Sequence, residues 1–236
     1  MAPGETTLDL AGKQVAVRFL RNRRARRIIL RLDQDPDGAE NGVVVTLPGR
    51  TGIKEGLDLV REKADWVLAR LDDLTPRVVF ADGAVVPLSD VDHVIRHTSE
   101  KRGVVRLGIG EILVSGGTEH LARRVRDWFR AEASGRIRPL VCDKAAALGR
   151  TPGRITIRDT KSRWGSCSHD GNLPFCWRLV MAPASVLDYV VAHEVAHLVE
   201  HNHGPEFWRL ARSLTEDMDG GRDWLKRHGE RLHRIG

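Results

Sequence analysis

Residues 184–199, A-S-V-L-D-Y-V-V-A-H-E-V-A-H-L-V, are apolar at helical spacing on almost every side, yet His193, Glu194 and His197 stand among them. A helix that is apolar all round belongs at the centre of a domain, and the remaining elements must be arranged about it. Polar groups inside such a helix cost several kcal/mol unless something satisfies them. Histidines four apart share one helix face, so both rings reach a single metal ion. Glu194 then sits beside that ion, placed to take a proton from a water that the metal activates. This is the pattern of a zinc hydrolase. Pro183 suits a first helical turn, and Ser185 with Asp188 predicts a capping box.

A catalytic zinc usually has three protein ligands and one open position. Glu200, His201 and His203 are the candidates for the third. Glu200 stays on the histidine face but is too close in sequence to wrap back, and His201 lies nearer the Glu194 side. His203 follows Asn202, which tolerates the left-handed conformation that ends helices, and precedes Gly204-Pro205, which start a new element. A chain reversal that brings His203 to the ion is therefore expected. Histidines at positions zero, four and ten match the longer zincin motif, except that Glu200 stands where that motif has glycine. The reversal must use other backbone geometry.

A length of 236 residues allows one large or two small domains. The net charge of +6 comes mostly from arginine and permits anionic partners. Cys142, Cys167 and Cys176 are too few and too irregular for a disulfide framework, which points to a reducing compartment and a cytoplasmic location. Residues 1–13 carry Glu5 and Asp9 and no apolar run, unlike a secretory signal. Residues 179–199 are interrupted by Asp188 and by the His-Glu motif, so no membrane span is expected.

Residues 8–47 alternate apolar with polar or basic positions. With Asp37-Gly38 and Asn41-Gly42 as turn signals, they predict an antiparallel meander. Within it lie Arg18, Arg21, Arg23, Arg24, Arg26, Arg27 and Arg31. This cluster reads as a solvated basic face or as a contact for nucleic acid or nucleotide phosphates, although no aromatic residues interleave to stack on bases. Residues 53–74 predict a helix on which Trp66 packs, and 77–115 predict short strands, with His93 and His97 as surface or structural residues. Residues 116–148 predict a long helical region that Pro139 should kink or split. Residues 154–181 predict a β-hairpin turning at Asp170-Gly171 and leading into the motif helix. A short helix over 206–214, with Phe207 and Trp208 as packing residues, and a basic amphipathic helix over 222–234 complete the chain. The expected class is α+β. An antiparallel β-rich N-terminal region with a helix covers 1–115, and a compact zincin-like catalytic domain with a hairpin and a central zinc-binding helix covers 116–236.

The runs K-S-R-W-G-S-C-S from Lys161, W-R-L-V-M-A-P from Trp177, and H-E-x-x-H-x-x-x-x-x-H followed by F-W resemble the YgjP-like metallopeptidase family. That family is similar in its catalytic core to the SprT-like and WLM proteases that act on DNA–protein crosslinks. The match is strongest over 160–208, and the arginine-rich strands and the segment around Trp66 resemble the family more loosely. The resemblance implies a zincin domain with zinc on His193, His197 and His203 and with Glu194 as the base. Cys176 departs from it, standing where relatives often have Asn or a small polar residue.

The function expected from these features is zinc-dependent hydrolysis of peptide bonds. A strand beside the zinc helix would hold an extended peptide by strand addition. The oxyanion needs a donor besides the metal, and Arg163 and Arg178, on the hairpin, are the nearest candidates, with Tyr189 as another. Two other functions share parts of the pattern. A metal-dependent nucleotide (phosphoanhydride) hydrolase would use the same water on phosphorus, but the chain lacks a Gly-Lys-Ser/Thr phosphate loop. A DNA-associated protein with a structural metal would more commonly have four protein ligands.

Overall fold

The structure, a computed structural model, describes residues 4–33, 42–72, 77–99 and 104–236. The chain divides into two compact units, Met1–Pro76 and Arg77–Gly236.

In the first unit, β1 (Glu5–Leu10) and β2 (Lys13–Arg21) form a hairpin, followed by β3 (Ile29–Asp33), β4 (Gly42–Leu47), α1 (Ile53–Glu62) and α2 (Ala64–Asp72). The sheet order is β1-β2-β4-β3, with β2 parallel to β4. The expected meander is not formed. Val15, Val17 and Phe19 of β2 and Val43, Val45 and Leu47 of β4 are all buried, so the two most apolar strands take the centre and β3 is displaced to the edge. The Asp37-Gly38 turn signal and Asn41 lie outside the described residues. The predicted single helix is two, broken at Lys63, and it covers the sheet with Val60, Val67 and Leu71. Trp66, expected to pack there, is 48% exposed.

The second unit begins with the same scheme. Strands β5 (Val85–Leu88), β6 (Val91–Thr98), β7 (Val105–Leu107) and β8 (Glu111–Ser115) take the order β5-β6-β8-β7, again with a parallel central pair, and lead into α3 (Leu121–Ala147). Both opening hairpins turn on two residues of positive φ, Ala11 and Gly12 in one (53° and 85°) and Ser89 and Asp90 in the other (51° and 64°). Such turns match the twist of paired strands. A boundary after residue 115 differs from this division. Val86, Leu88, Ile95, Ile112 and Val114 share one core with α3 and with the motif helix, so the contacts divide the chain after Pro76 instead.

The α3 helix buries Leu121, Val125, Phe129, Ala133, Ile137, Val141 and Ala145, a stripe repeating every four residues. It runs unbroken through Pro139, which was expected to kink or split the region. Pro139 has no N–H to offer the carbonyl of Gly135, and the helix continues without that one bond. Strands β9 (Ile155–Arg158) and β10 (Leu173–Cys176) pair in parallel, and a 3-10 turn, Trp177–Met181, leads into α4 (Ala184–Ala196), α5 (Pro205–Ser213) and α6 (Met218–His233).

The expected hairpin is present only in part. Its turn closes through Ser168 and Gly171 (Gly171 N–H to Ser168 O 2.9 Å), and residues 164–168 run antiparallel to β10, but the regular neighbour of β10 is β9. No side chain caps α4. Asp188, expected in a capping box, instead pairs with Lys144 of α3 at 2.7 Å. Among the described residues no helix is long and apolar enough to cross a membrane.

The first unit offers a direct test of its packing. A Cβ on Gly56 of α1 would stand 2.9 Å from Phe19 and 3.0 Å from Leu47, so the helix lies on the sheet with no room for a side chain. Gly56→Leu is expected to destabilise this unit by about 1–3 kcal/mol in denaturant titrations. An unchanged midpoint would show that helix and sheet are not in close contact.

Candidate metal centre

The α4 helix is buried along its length, from Val186 to Ala196, by α3, α5, α6 and the preceding 3-10 turn. His193 and Glu194 lie in its last turn and His197 caps it. The chain turns back through Val199 and Asn202, and Gly204 in extended conformation hands it to Pro205 at the start of α5. This reversal carries His203 back to the helix. One nitrogen from each of His193, His197 and His203 lies within 4.8 Å of the other two, and the Nε2 atoms of His193 and His203 stand 3.1 Å apart. Two nitrogens sharing a tetrahedral zinc would stand about 3.3 Å apart.

Phe207 closes the floor under all three rings, at centroid distances of 4.9 Å from His193, 4.4 Å from His197 and 4.6 Å from His203. Its role as a packing residue was legible, but its partners were not. Trp208 lies beside His203 at 5.5 Å. His197 Nδ1 is 3.0 Å from the Glu200 carbonyl, which can only accept, so the neutral ring carries its proton there and leaves Nε2 with a lone pair. Burial, reinforced by the other two rings, pushes the His193 pKa down to about 4, and burial also lowers that of His197. Neutral imidazoles are the ligand form, and a group of three suits zinc.

Glu200 and His201, the other candidates for the third ligand, are elsewhere occupied. Glu200 accepts from the Asn202 N–H, and His201 stacks on His169 at 5.5 Å. Cys176 is buried with its thiol toward the Thr160 carbonyl. Cys167 is half-buried, and its pKa is pushed up to about 11 by burial and by the charge of Glu194, so it stays a thiol. His93 and His97 bond the backbone carbonyls of Val91 and Gly116, in keeping with structural roles.

Glu194 is 7% exposed, and residues 164–168 pass directly over it. A Cβ on Gly165 would come within 2.6 Å of the Glu194 Cγ, so only glycine permits this approach. The signal was the glycine inside an extended run, which often marks a close backbone contact. Trp164 anchors the run by stacking on His233 of α6 at 4.1 Å. Arg163 is exposed, and its charge reaches Glu194.

Arg178 is placed differently. Its guanidinium lies over Trp177, bonds Asp159 at 2.5 Å, and donates to the carbonyls of Ile235 at 2.7 Å and Gly236 at 3.3 Å. Burial works to raise the Asp159 pKa, but Arg178 outweighs it and holds the carboxylate below its ordinary value. The expectation of Arg178 as an oxyanion donor thus meets a guanidinium already engaged by three acceptors, and a buried cation needs those partners. Tyr189 is buried against Gly221, its ring 6.1 Å from His193.

A family described as YgjP-like, metallopeptidase domain, matches residues 26–228. The chain belongs to this YgjP-like metallopeptidase family. It is therefore placed among metal-dependent peptidases, whose substrates are peptides or proteins. The crystal structure of the metallopeptidase zymogen of Methanocaldococcus jannaschii jannalysin is similar at 22% identity, over 40% of this chain and 95% of that one, with a TM-score of 0.34. No curated protein matches the chain.

Within this YgjP-like chain, burial raises the Glu194 pKa from 4.5 to about 7, with Arg163 pulling it back. The folded value lies above the unfolded one, so the folded protein holds the extra proton between them. The resulting stabilisation is complete below about pH 4.5 and is lost as pH rises through about 7. In metal-free protein, Glu194→Gln is thus expected to exceed the parent in stability by about 2–3 kcal/mol at about pH 8, and to match it at about pH 4. A pH-independent difference in urea titrations would show that the carboxylate is not held in a dry site. Arg178→Met is expected to cost about 3 kcal/mol of stability while leaving peptide turnover per folded molecule unchanged. Lost turnover in a fully folded variant would return Arg178 to the chemistry.

Proposed function

We propose that the chain is a zinc-dependent peptidase in which His193, His197 and His203 hold the metal and Glu194 is the general base. The observation that carries this reading is the convergence of three imidazoles on the helix whose Glu194, buried under an extended run of backbone, adjoins His193. Zinc on these ligands would supply a Lewis acid that activates water and polarises the substrate carbonyl.

The residues of the chain do the rest. Glu194, with its pKa brought near neutrality, accepts a proton from the attacking water and passes it to the leaving amine. Along 164–168, the bonds from Cys176 N–H to Trp164 O (2.8 Å) and from Ser166 N–H to Pro174 O (3.1 Å) turn the N–H and C=O groups of Gly165 and Cys167 away from β10. That edge, beside Glu194, supports docking of an extended peptide by strand addition. Arg163, whose positive charge reaches Glu194, is the side chain we assign to the developing oxyanion. We assign the reaction to Arg77–Gly236, and three irregularly spaced cysteines support a reducing, cytoplasmic setting.

Elemental analysis and peptide hydrolysis test this together. The parent and Glu194→Gln are expected to hold about one zinc per chain, and His203→Ala to lose most of it. Glu194→Gln should lower turnover by at least about 100-fold. Parental turnover in Glu194→Gln would sink the base assignment, and parental zinc in His203→Ala the ligand assignment.

A further inference from the structure

Residues 11–32 hold eight Lys and Arg and no Asp or Glu, so this segment alone carries more positive charge than the net +6 of the whole chain. Arg18 is paired with Glu5. Arg21 donates to the carbonyls of Gly49 at 3.0 Å and Thr51 at 3.1 Å, both neutral, and has no carboxylate partner among the described residues. On the connection from β2 to β3, Arg23, Arg24, Arg26 and Arg27 are exposed and have no carboxylate partner among the described residues.

Beside this connection opens a groove of about 1030 Å³, with Phe19, Leu20, Leu47 and Ile53 along its floor and Arg21 and Arg23 on its wall. The floor reaches the surface, where Leu20 is 44% and Ile53 45% exposed. The stem of Arg23 runs over Gly49, 3.7 Å from where a Cβ would stand, which holds the guanidinium at the rim. Exposed apolar surface rimmed by charge marks an interaction site.

The occupant must satisfy both parts. Uncompensated guanidinium groups demand an anionic partner, and the floor demands apolar side chains. Single-stranded nucleic acid meets the first demand, but its bases need ring faces to stack on, and Phe19, the one aromatic residue among the described residues of the groove, is 5% exposed. An extended peptide with carboxylates alternating with apolar side chains meets both. We propose that this groove docks such an acidic segment, with apolar side chains on Leu20 and Ile53 and carboxylates on Arg21, Arg23 and Arg24. Resting on the peptidase reading, the groove then selects acidic protein substrates from outside the catalytic unit.

The test uses the full chain carrying Glu194→Gln, so that nothing is cut, and fluorescence anisotropy of a labelled synthetic peptide alternating Glu and Leu at low salt. This peptide is expected to bind, and peptides with Lys in place of Glu, or Ser in place of Leu, are not. Adding Arg23→Glu with Arg24→Glu, or Ile53→Asp alone, should each weaken binding by about tenfold or more at an unchanged melting midpoint. Absence of binding, or binding indifferent to these substitutions, overturns the proposal. Labelled oligothymidylate bound more tightly than the acidic peptide overturns it in favour of a nucleic-acid surface. Hydrolysis of a short neutral peptide by the unsubstituted chain is read separately. Docking without hydrolysis supports the groove and sinks only the catalytic reading, whereas hydrolysis without docking sinks only the groove.

Discussion

The second unit depends on the burial of one carboxylate and its neighbouring imidazoles inside an apolar helix. The surface of α4 is so apolar that α3, α5, α6 and the 3-10 turn must all pack on it, and each meets a definite part of it. The seven-residue stripe of α3 seals one side, and Lys144 bonds both Asp188 of α4 and the Leu214 carbonyl just beyond α5. Phe207 seals the other side, under the imidazoles themselves. Polar groups enclosed in this way are costly, and the enclosure is tolerable only where something answers them. Three converging imidazoles form a group that could hold a metal ion.

The same enclosure sets the electrostatics. Burial favours neutral forms, so it lowers the pKa of His193 and raises that of Glu194. Under the proposed mechanism, these shifts would keep His193 available as a ligand and bring the Glu194 carboxylate to a value at which it can take and return a proton near neutral pH. Gly165 completes the arrangement, because the extended run can lie on Glu194 only if it presents no side chain there. Shape and proton affinity are therefore two consequences of one close contact.

Two four-stranded sheets of identical pairing scheme, each entered through a two-residue turn of positive φ and each followed by helix, recur along the chain. Their surroundings differ. In the second unit the turn is bound into the core, with the Ser89 and Asp90 N–H groups on the carbonyls of Val180 and Met181 and Arg136 on the Ser89 hydroxyl. In the first, the corresponding turn holds a local bond from the Gly12 N–H to Asp9, and the opposite end of β2 opens into a groove rimmed by arginine. One copy of the scheme supports the histidine-bearing helix, and the other presents surface.

From sequence alone came the α+β class, the central helix, its His-Glu-x-x-His face and the expectation that a reversal after Asn202 returns His203 to that face, because helical spacing and chain-breaking residues act locally. The turn at Gly171 was legible for the same reason. Strand order was not, since nothing in residues 8–47 distinguishes a meander from a sheet with a parallel central pair, and burial of β2 against β4 decided it. The boundary after Pro76 and the repeated scheme were equally hidden, being properties of pairing rather than of composition. Arg178 stands as near to the motif in sequence as many site residues do, yet only the fold turns it toward Asp159 and the Ile235 and Gly236 carbonyls. Gly165 on Glu194 and Phe207 beneath three rings are contacts across long stretches of chain. A sequence names the residues able to make such contacts, and only packing decides which of them meet.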